Sequence, residues 1–389
     1  MVNLLKDIQN GDFEEVGSKI LDLKGETNTY KTYKIPLSKL KYNRKNDRIA
    51  SFISEYEENR SIDDIDEDTL EEFIYESAPK DNDKTIKNIK ATRQRESAVV
   101  MSDGTVIDGN RRFTCLRKLH KDDEANEKFK YLIASVLDRE KYVDKDIKKL
   151  ELQIQNLEEK VSYNPIDRYV GVYRNLLSDG SEFTVSEYAQ DINQPEKKVM
   201  DDMINARLML DYLEFIGKPL QFHYARENKL DGTLNELKRI VKMNGMDDQE
   251  RQLIKETAFS EFSTTVDSKK IRKLIDACRN EDVFNQGRVK QAKEVNNDVY
   301  NSFHENGFLD PEVKQKVSNF ADDLIEDSSI SNEQNKDEKL LIHAIKDVTK
   351  VDKDKIQHMS SDLKNSFDER LIELKKELDE LVRSANVEE

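Results

Sequence analysis

The segment Val106-Ile107-Asp108-Gly109-Asn110-Arg111-Arg112 combines the parts of an anion site. A glycine lets backbone approach a phosphate closely, a following helix N-terminus presents unpaired N–H groups, and two guanidiniums supply charge and paired donors. Asp108 adds a carboxylate suited to acid–base or metal-binding work. On local sequence alone the residues equally suit a plain turn, with Gly109 closing it and the arginines paired with nearby acids. Upstream, Thr92-Arg93-Gln94-Arg95 is a second basic and polar run, and Glu151-Leu152-Gln153 brings a further carboxylate and amide.

The flanking pattern supplies elements to hold these residues. Ala98–Met101 and Thr105–Ile107 are β-rich runs across Ser102-Asp103-Gly104, a hairpin signal. Asp108-Gly109-Asn110 is a second turn, and Arg111 to His120 then reads as a helix with Phe113, Leu116 and Leu119 on its apolar side. Tyr33 to Leu40 alternates as a strand entering a turn, Ile49 to Tyr56 reads as helix, and Tyr131 to Leu137 as another strand. Residues 33–145 are thus expected to form an α+β domain behind a helical lead over 1–32, in which Phe13, Val16, Ile20 and Leu23 fall at helical spacing.

Beyond Lys145 the pattern is helical. Asn164 and Pro165 suit an N-cap and first helical position, Thr184 to Ile192 a short helix, Asn193-Gln194-Pro195 a turn, and Glu196 to Ile216 a longer helix. Residues 146–217 therefore predict a helix-turn-helix domain. A helical domain over 218–345 is expected to bury Leu234, Leu237, Ile240 and Val241, then Ile271, Leu274, Ile275 and Cys278, with Ser328 to Asp337 as a polar loop. In 346–389, Leu371, Leu374, Leu378 and Leu381 repeat at heptad-core spacing with Phe367 upstream, which suits a helix pair more than a long coiled coil, whether by dimerisation or by folding back within one chain.

Composition bounds the reading. A chain of 389 residues exceeds one ordinary core and predicts two or three domains. Hydrophobic residues at 36% against 37% charged favour amphipathic helices. Net charge −16 excludes a protein that coats nucleic acid through bulk electrostatics, so DNA contact must be local. No long apolar run or secretion-type start is present, which predicts a cytoplasmic protein without a membrane partner. Cys115 and Cys278 stand far apart in sequence and outside any cysteine–histidine cluster, so neither disulfides nor structural zinc are expected. The acidic stretch Glu55 to Asp83, flanked by basic residues, has no functional reading.

The order of these features resembles the ParB-like family, whose fold is shared with sulfiredoxin. The resemblance rests on Ile35-Pro36-Leu37-Ser38-Lys39-Leu40, on Thr92-Arg93-Gln94-Arg95 ahead of a strand, and on Asp108-Gly109-Asn110-Arg111-Arg112 where ParB proteins carry Gly-Glu-Arg-Arg. Tyr163-Asn164-Pro165-Ile166-Asp167-Arg168-Tyr169 is similar to the family's Asn-Pro start of its helix-turn-helix domain. It implies an α+β ParB/sulfiredoxin-like N-terminal domain with a mostly α-helical remainder, in a protein of bacterial, plasmid or phage origin. It also implies CTP or another NTP held with Mg²⁺. The triphosphate would lie against Gly109, Asn110, Arg111 and Arg112, with Thr92, Arg93 and Gln94 alongside. Partition proteins place metal-binding side chains on a Glu-Asn-x-Gln-Arg stretch; the nearest match, Glu151-Leu152-Gln153-Ile154-Gln155-Asn156, lacks the Asn-Arg part and leaves Glu151 and Gln153 as metal candidates. Asn110 stands where sulfiredoxin needs its cysteine, so that activity is not expected, and Cys115 reads as a buried thiol.

Three functions follow. The first is a nucleotide-binding homodimer acting as a DNA-binding or clamp protein, reading duplex DNA through Gln194, Lys197 and Lys198. Asp201 and Asp202 come directly after, so such a helix must turn them away from phosphates. The second is an enzyme of the same fold, a nucleotidase, kinase or nuclease of phage defence or mobile elements, using Asp108 or Glu151. The third is a non-enzymatic protein whose acidic helical surface recruits a partner.

Overall fold

The computed structural model describes residues 2–157, 164–242, 245–265, 267–334, 336–356 and 358–384. It is mostly helical, with one mixed six-stranded sheet in the order β1-β2-β6-β4-β5-β3. After a short helix α1 (Leu4–Gln9), β1 (Glu15–Leu23) and β2 (Glu26–Pro36) form an antiparallel hairpin. β3 is Lys41–Tyr42, β4 Ala98–Met101, β5 Thr105–Asp108 and β6 Tyr131–Leu137. β6 pairs antiparallel with β2 and parallel with β4, while β5 pairs antiparallel with β4 and parallel with β3.

The expected helical lead over 1–32 is therefore corrected to a helix and a hairpin. Lys24 and Gly25 close it at φ 56° and 79°, the left-handed pair that a two-residue hairpin turn demands. Leu21 and Leu23 are buried with the strand period of two, whereas Ile20, counted on the helical stripe, is 67% exposed.

Each face of the sheet carries its own core. Ala98, Val100, Val106, Leu132 and Ala134 pack with α2 (Ala50–Glu57), α3 (Glu67–Glu76), α4 (Pro79–Thr92) and α5 (Asn110–Asp122). Val99, Met101, Ile107 and Leu137 pack with Ile147, Leu150 and Ile154 of α6 (Asp144–Leu157). The acidic stretch runs from the end of α2 through α3 to the start of α4. Its Glu71 is buried between Arg117 and Lys121 of α5, at 2.5 and 3.0 Å, so these charges brace the site helix.

A third core gathers α7 (Pro165–Val172), a π-helical turn (Tyr173–Leu177), α8 (Val185–Asp191), α9 (Glu196–Phe215), α10 (Phe222–Glu227), α11 (Asp231–Val241), α12 (Asp248–Phe262), α13 (Ser268–Cys278), α14 (Gln286–Asn306) and α15 (Pro311–Gln334). Asn164 caps α7 with Pro165 in its first turn, and Thr184 with Glu187 makes a capping box on α8. Ala50 of α2 and Leu152 of α6 belong to this same core, and Met1–Ile325 forms one compact unit. Boundaries at 145/146 and 217/218 are thus not seams between compact bodies. Val241, expected inside, is 43% exposed, because Leu234, Leu237 and Ile240 already fill the inward stripe. Ser328–Gln334, expected as loop, continues α15, since no glycine or proline interrupts it.

Residues Glu326–Glu389 form a second unit, with α16 (Lys336–Thr349), α17 (Lys353–Ile356) and α18 (Ser361–Ser384). It begins earlier than the expected boundary at 346. Among the described residues no helix is long and apolar enough to cross a membrane.

Candidate functional site

At the end of β5 the chain turns through Gly109 at φ 96° into α5. A Cβ there would lie 2.7 Å from the Ala98 Cβ and 3.1 Å from Arg112 Nη2, so the position excludes a side chain by conformation and by space. This turn borders a cavity of about 370 Å³, within the range of small-molecule sites. Thr92, Arg93, Gln94, Asp108, Gly109, Asn110, Arg111 and Arg112 all line it, so the sheet order unites two segments read separately in sequence.

Arg48 and Arg95 also line it, giving five arginines against the carboxylates of Asp108 and Glu96. In a chain of net charge −16 this is a local reversal of sign, suited to a polyanion. Sequence reading missed Arg48. The signal was the basic run at Lys41 to Lys45, which stops just short of it. Asn46 Oδ1 accepts from Arg48 N at 3.0 Å, so a one-turn 3₁₀ helix (Asp47–Ile49) sets the residue, which is itself only 9% exposed.

The local pairing differs between the two site arginines. Arg112 Nη2 donates to Asp108 Oδ2 at 3.0 Å, and Lys19 Nζ approaches the same oxygen at 3.6 Å. Arg111 Nε donates to Asn82 Oδ1 at 3.0 Å, while its buried Nη2 has no hydrogen-bond acceptor. Burial, followed by the neighbouring Arg48 charge, holds Arg111 below the usual guanidinium pKa. A bound anion relieves both penalties. Asn110 gives its amide nitrogen to Val106 O at 3.2 Å and keeps a buried, unpartnered Oδ1.

On the opposite wall, Arg93 caps α4 at φ 68° and ψ 179°, a conformation that costs an L-residue strain and recurs at functional sites. Thr92 Oγ1 donates back to Asn88 O at 2.9 Å. Gln94 lines the cavity, yet its amide behaves as an extra strand rung. Nε2 donates to Ile133 O at 2.7 Å and Oε1 accepts from Ile133 N at 2.9 Å. Cys115 is buried, its thiol pushed up to about 12 by desolvation, which matches an inert packing residue.

Glu151 is not among the residues lining the cavity. It is buried, with Lys148 Nζ 3.2 Å from Oε2, and Gln153 donates its amide to Asp191 at 2.9 Å. Asp108 is likewise committed to cations. These residues do not fit a resident Mg²⁺, and among the described residues no three histidine, cysteine or carboxylate side chains form a metal-binding group. Tyr163 and the side chains of Gln155 and Asn156, parts of the sequence motifs, lie outside the described residues.

At the start of α9, Gln194 and Lys197 are exposed. Lys198 Nζ is drawn to Asp202 Oδ1 at 2.9 Å. Asp202 is itself buried and paired with Arg168, and Asp201 meets Lys238 of α11 and Lys242 directly after it. Both acids are therefore neutralised within the fold.

No family model and no curated protein matches the chain. Among solved structures it is similar to one described as the C2221 form of a Pnob8-like ParB-N domain, at 16% identity and a TM-score of 0.28, over 58% of this chain and 88% of that one.

Proposed function

We propose that the chain is a ParB-like nucleotide-binding protein whose cavity beside Gly109 seats the triphosphate of CTP or another NTP. What supports this reading is the joining of a left-handed glycine at a helix start with Arg48, Arg111 and Arg112, one of which keeps a buried donor without an acceptor. Charge-assisted bonds to such a fork contribute about 1.5–3 kcal/mol each. In the same reading Gln194 and Lys197 at the exposed start of α9 touch duplex DNA, with Lys198 partly withdrawn by Asp202. Support for an enzyme is weaker, since Asp108 is held by Arg112 and Lys19 and Glu151 stands away from the cavity.

The test is calorimetric titration with CTP, ATP and GTP, each with and without Mg²⁺, against Arg111→Ala/Arg112→Ala. One nucleotide should bind, and the double variant should bind at least roughly 100-fold more weakly. Failure of all three to bind overturns the reading. Duplex DNA titrated at low salt then tests α9, with Lys197→Ala expected to weaken binding and lower its salt dependence.

A further inference from the structure

A Mg²⁺ ion bound together with a polyphosphate takes protein oxygens that nothing else holds, usually from one or two carboxylates. In the cavity beside Gly109 such oxygens are already engaged. Asp108 is 7% exposed and answers Arg112 at 3.0 Å and Lys19 at 3.6 Å, so a divalent ion there would have to displace two cations. Asn46 Oδ1 accepts from Arg48 N, and Gln94 Oε1 accepts from Ile133 N. Asn110 Oδ1 has no hydrogen-bond partner, yet its residue directly precedes Arg111 and Arg112, where positive potential repels a cation. Among the described residues lining the cavity Glu96 is the one other carboxylate, and it is exposed.

The cations of the same wall are placed to do the work of a metal. Arg48 is only 9% exposed, and its charge, second to burial, lowers the Arg111 pKa, so the two guanidiniums share one field. Like charges buried side by side are costly until an anion answers both, and Arg111 Nη2 is buried with no acceptor of its own. A metal-free nucleoside triphosphate carries about four negative charges near neutral pH, and one chelated Mg²⁺ cancels about two of them. We infer that, given the nucleotide reading above, the cavity takes its polyphosphate without a divalent metal, Arg48, Arg111 and Arg112 neutralising the charge that chelated Mg²⁺ would otherwise cancel. The Mg²⁺ implied by the sequence resemblance is then replaced by guanidiniums, and the ligand class is the free polyphosphate anion rather than its metal chelate.

The experiment titrates the full chain calorimetrically with CTP, ATP and GTP and, separately, with inorganic tripolyphosphate, each in EDTA and in excess Mg²⁺ at matched ionic strength. Binding should persist in EDTA and be roughly tenfold tighter there, because Mg²⁺ removes charge that the guanidiniums meet. Arg48→Gln should lose roughly tenfold in EDTA and clearly less in Mg²⁺, the chelated metal then covering part of the missing charge. Nucleotide binding no weaker in Mg²⁺ than in EDTA, or a Glu96→Gln loss confined to Mg²⁺, would overturn the proposal while the nucleotide reading stands. Tripolyphosphate bound more tightly in EDTA, with no nucleotide bound in either buffer, would do the reverse: the nucleotide reading falls and the metal-free anion site stands. Binding of no probe in either buffer overturns both.

Discussion

Arg112 and Asp108 face one another across the left-handed Gly109, Nη2 to Oδ2 at 3.0 Å, and Lys19 shares the same carboxylate. Two cations on one buried acid leave net positive charge at the head of α5. The carboxylate both orients the Arg112 fork and subtracts from the attraction a phosphate would feel.

Asp108→Asn should therefore split stability from affinity. Removing one partner of a buried ionic cluster costs about 3–5 kcal/mol, so urea denaturation should show a clear loss. Affinity for the nucleotide identified by calorimetry should rise several-fold, because a negative charge has left the cavity wall. A fall in affinity would mean that Asp108 contacts the ligand directly.

Gly109→Ala is expected to destabilise the fold by about 2 kcal/mol or more, since the backbone is left-handed there and the added methyl meets Ala98 at 2.7 Å. Nucleotide binding should be lost with it, because relief of the clash moves strand β4 away from the helix start. Equal denaturation midpoints for variant and wild type would contradict the strained geometry.

At Arg93 strain and charge pull in opposite directions. Arg93→Gly removes a backbone penalty of about 1–3 kcal/mol at φ 68° and should raise the denaturation midpoint. It also removes a guanidinium from the cavity wall, so nucleotide affinity should drop roughly tenfold. A variant that is more stable and binds equally well would assign Arg93 to surface solvation.

Much of this site was legible because its signals are local. The Asp103-Gly104 hairpin, the Gly109 turn and the apolar side of α5 each lie within a few residues, and β6 begins and ends where Tyr131 and Leu137 mark it. What escaped reading depends on contacts distant in sequence. Gln94 looks like a ligand-facing amide, but its amide is spent on Ile133, which no spacing rule reveals. Arg48 joins Arg111 only once the fold brings its 3₁₀ turn to the same cavity wall. The hairpin over 15–36 was hidden because Phe13, Val16, Ile20 and Leu23 satisfy a helical period by coincidence, while the Lys24-Gly25 turn carries the true signal.

Asp167 gives the pH prediction. It is buried on α7, where Ser51 N donates to Oδ1 at 3.3 Å and Arg226 Nη1 lies 3.6 Å from Oδ2. Burial outweighs both contacts and pushes its pKa from 3.8 to about 6. A pKa raised on folding contributes stability that is complete below the unfolded value and is lost as pH rises through about 6. Asp167 thus opposes folding at neutral pH relative to pH 4. Asp167→Asn abolishes that titration while keeping the shape. The stability difference, variant minus wild type, should therefore grow in the variant's favour by about 2.5 kcal/mol between pH 4 and 7. The attraction to Arg226 is already contained in that raised pKa, because only the ionised carboxylate feels it. The difference between the two urea-derived stability curves is thus the quantity to read, and curves that run parallel from pH 4 to 7 would show that Asp167 stays ionised in the fold.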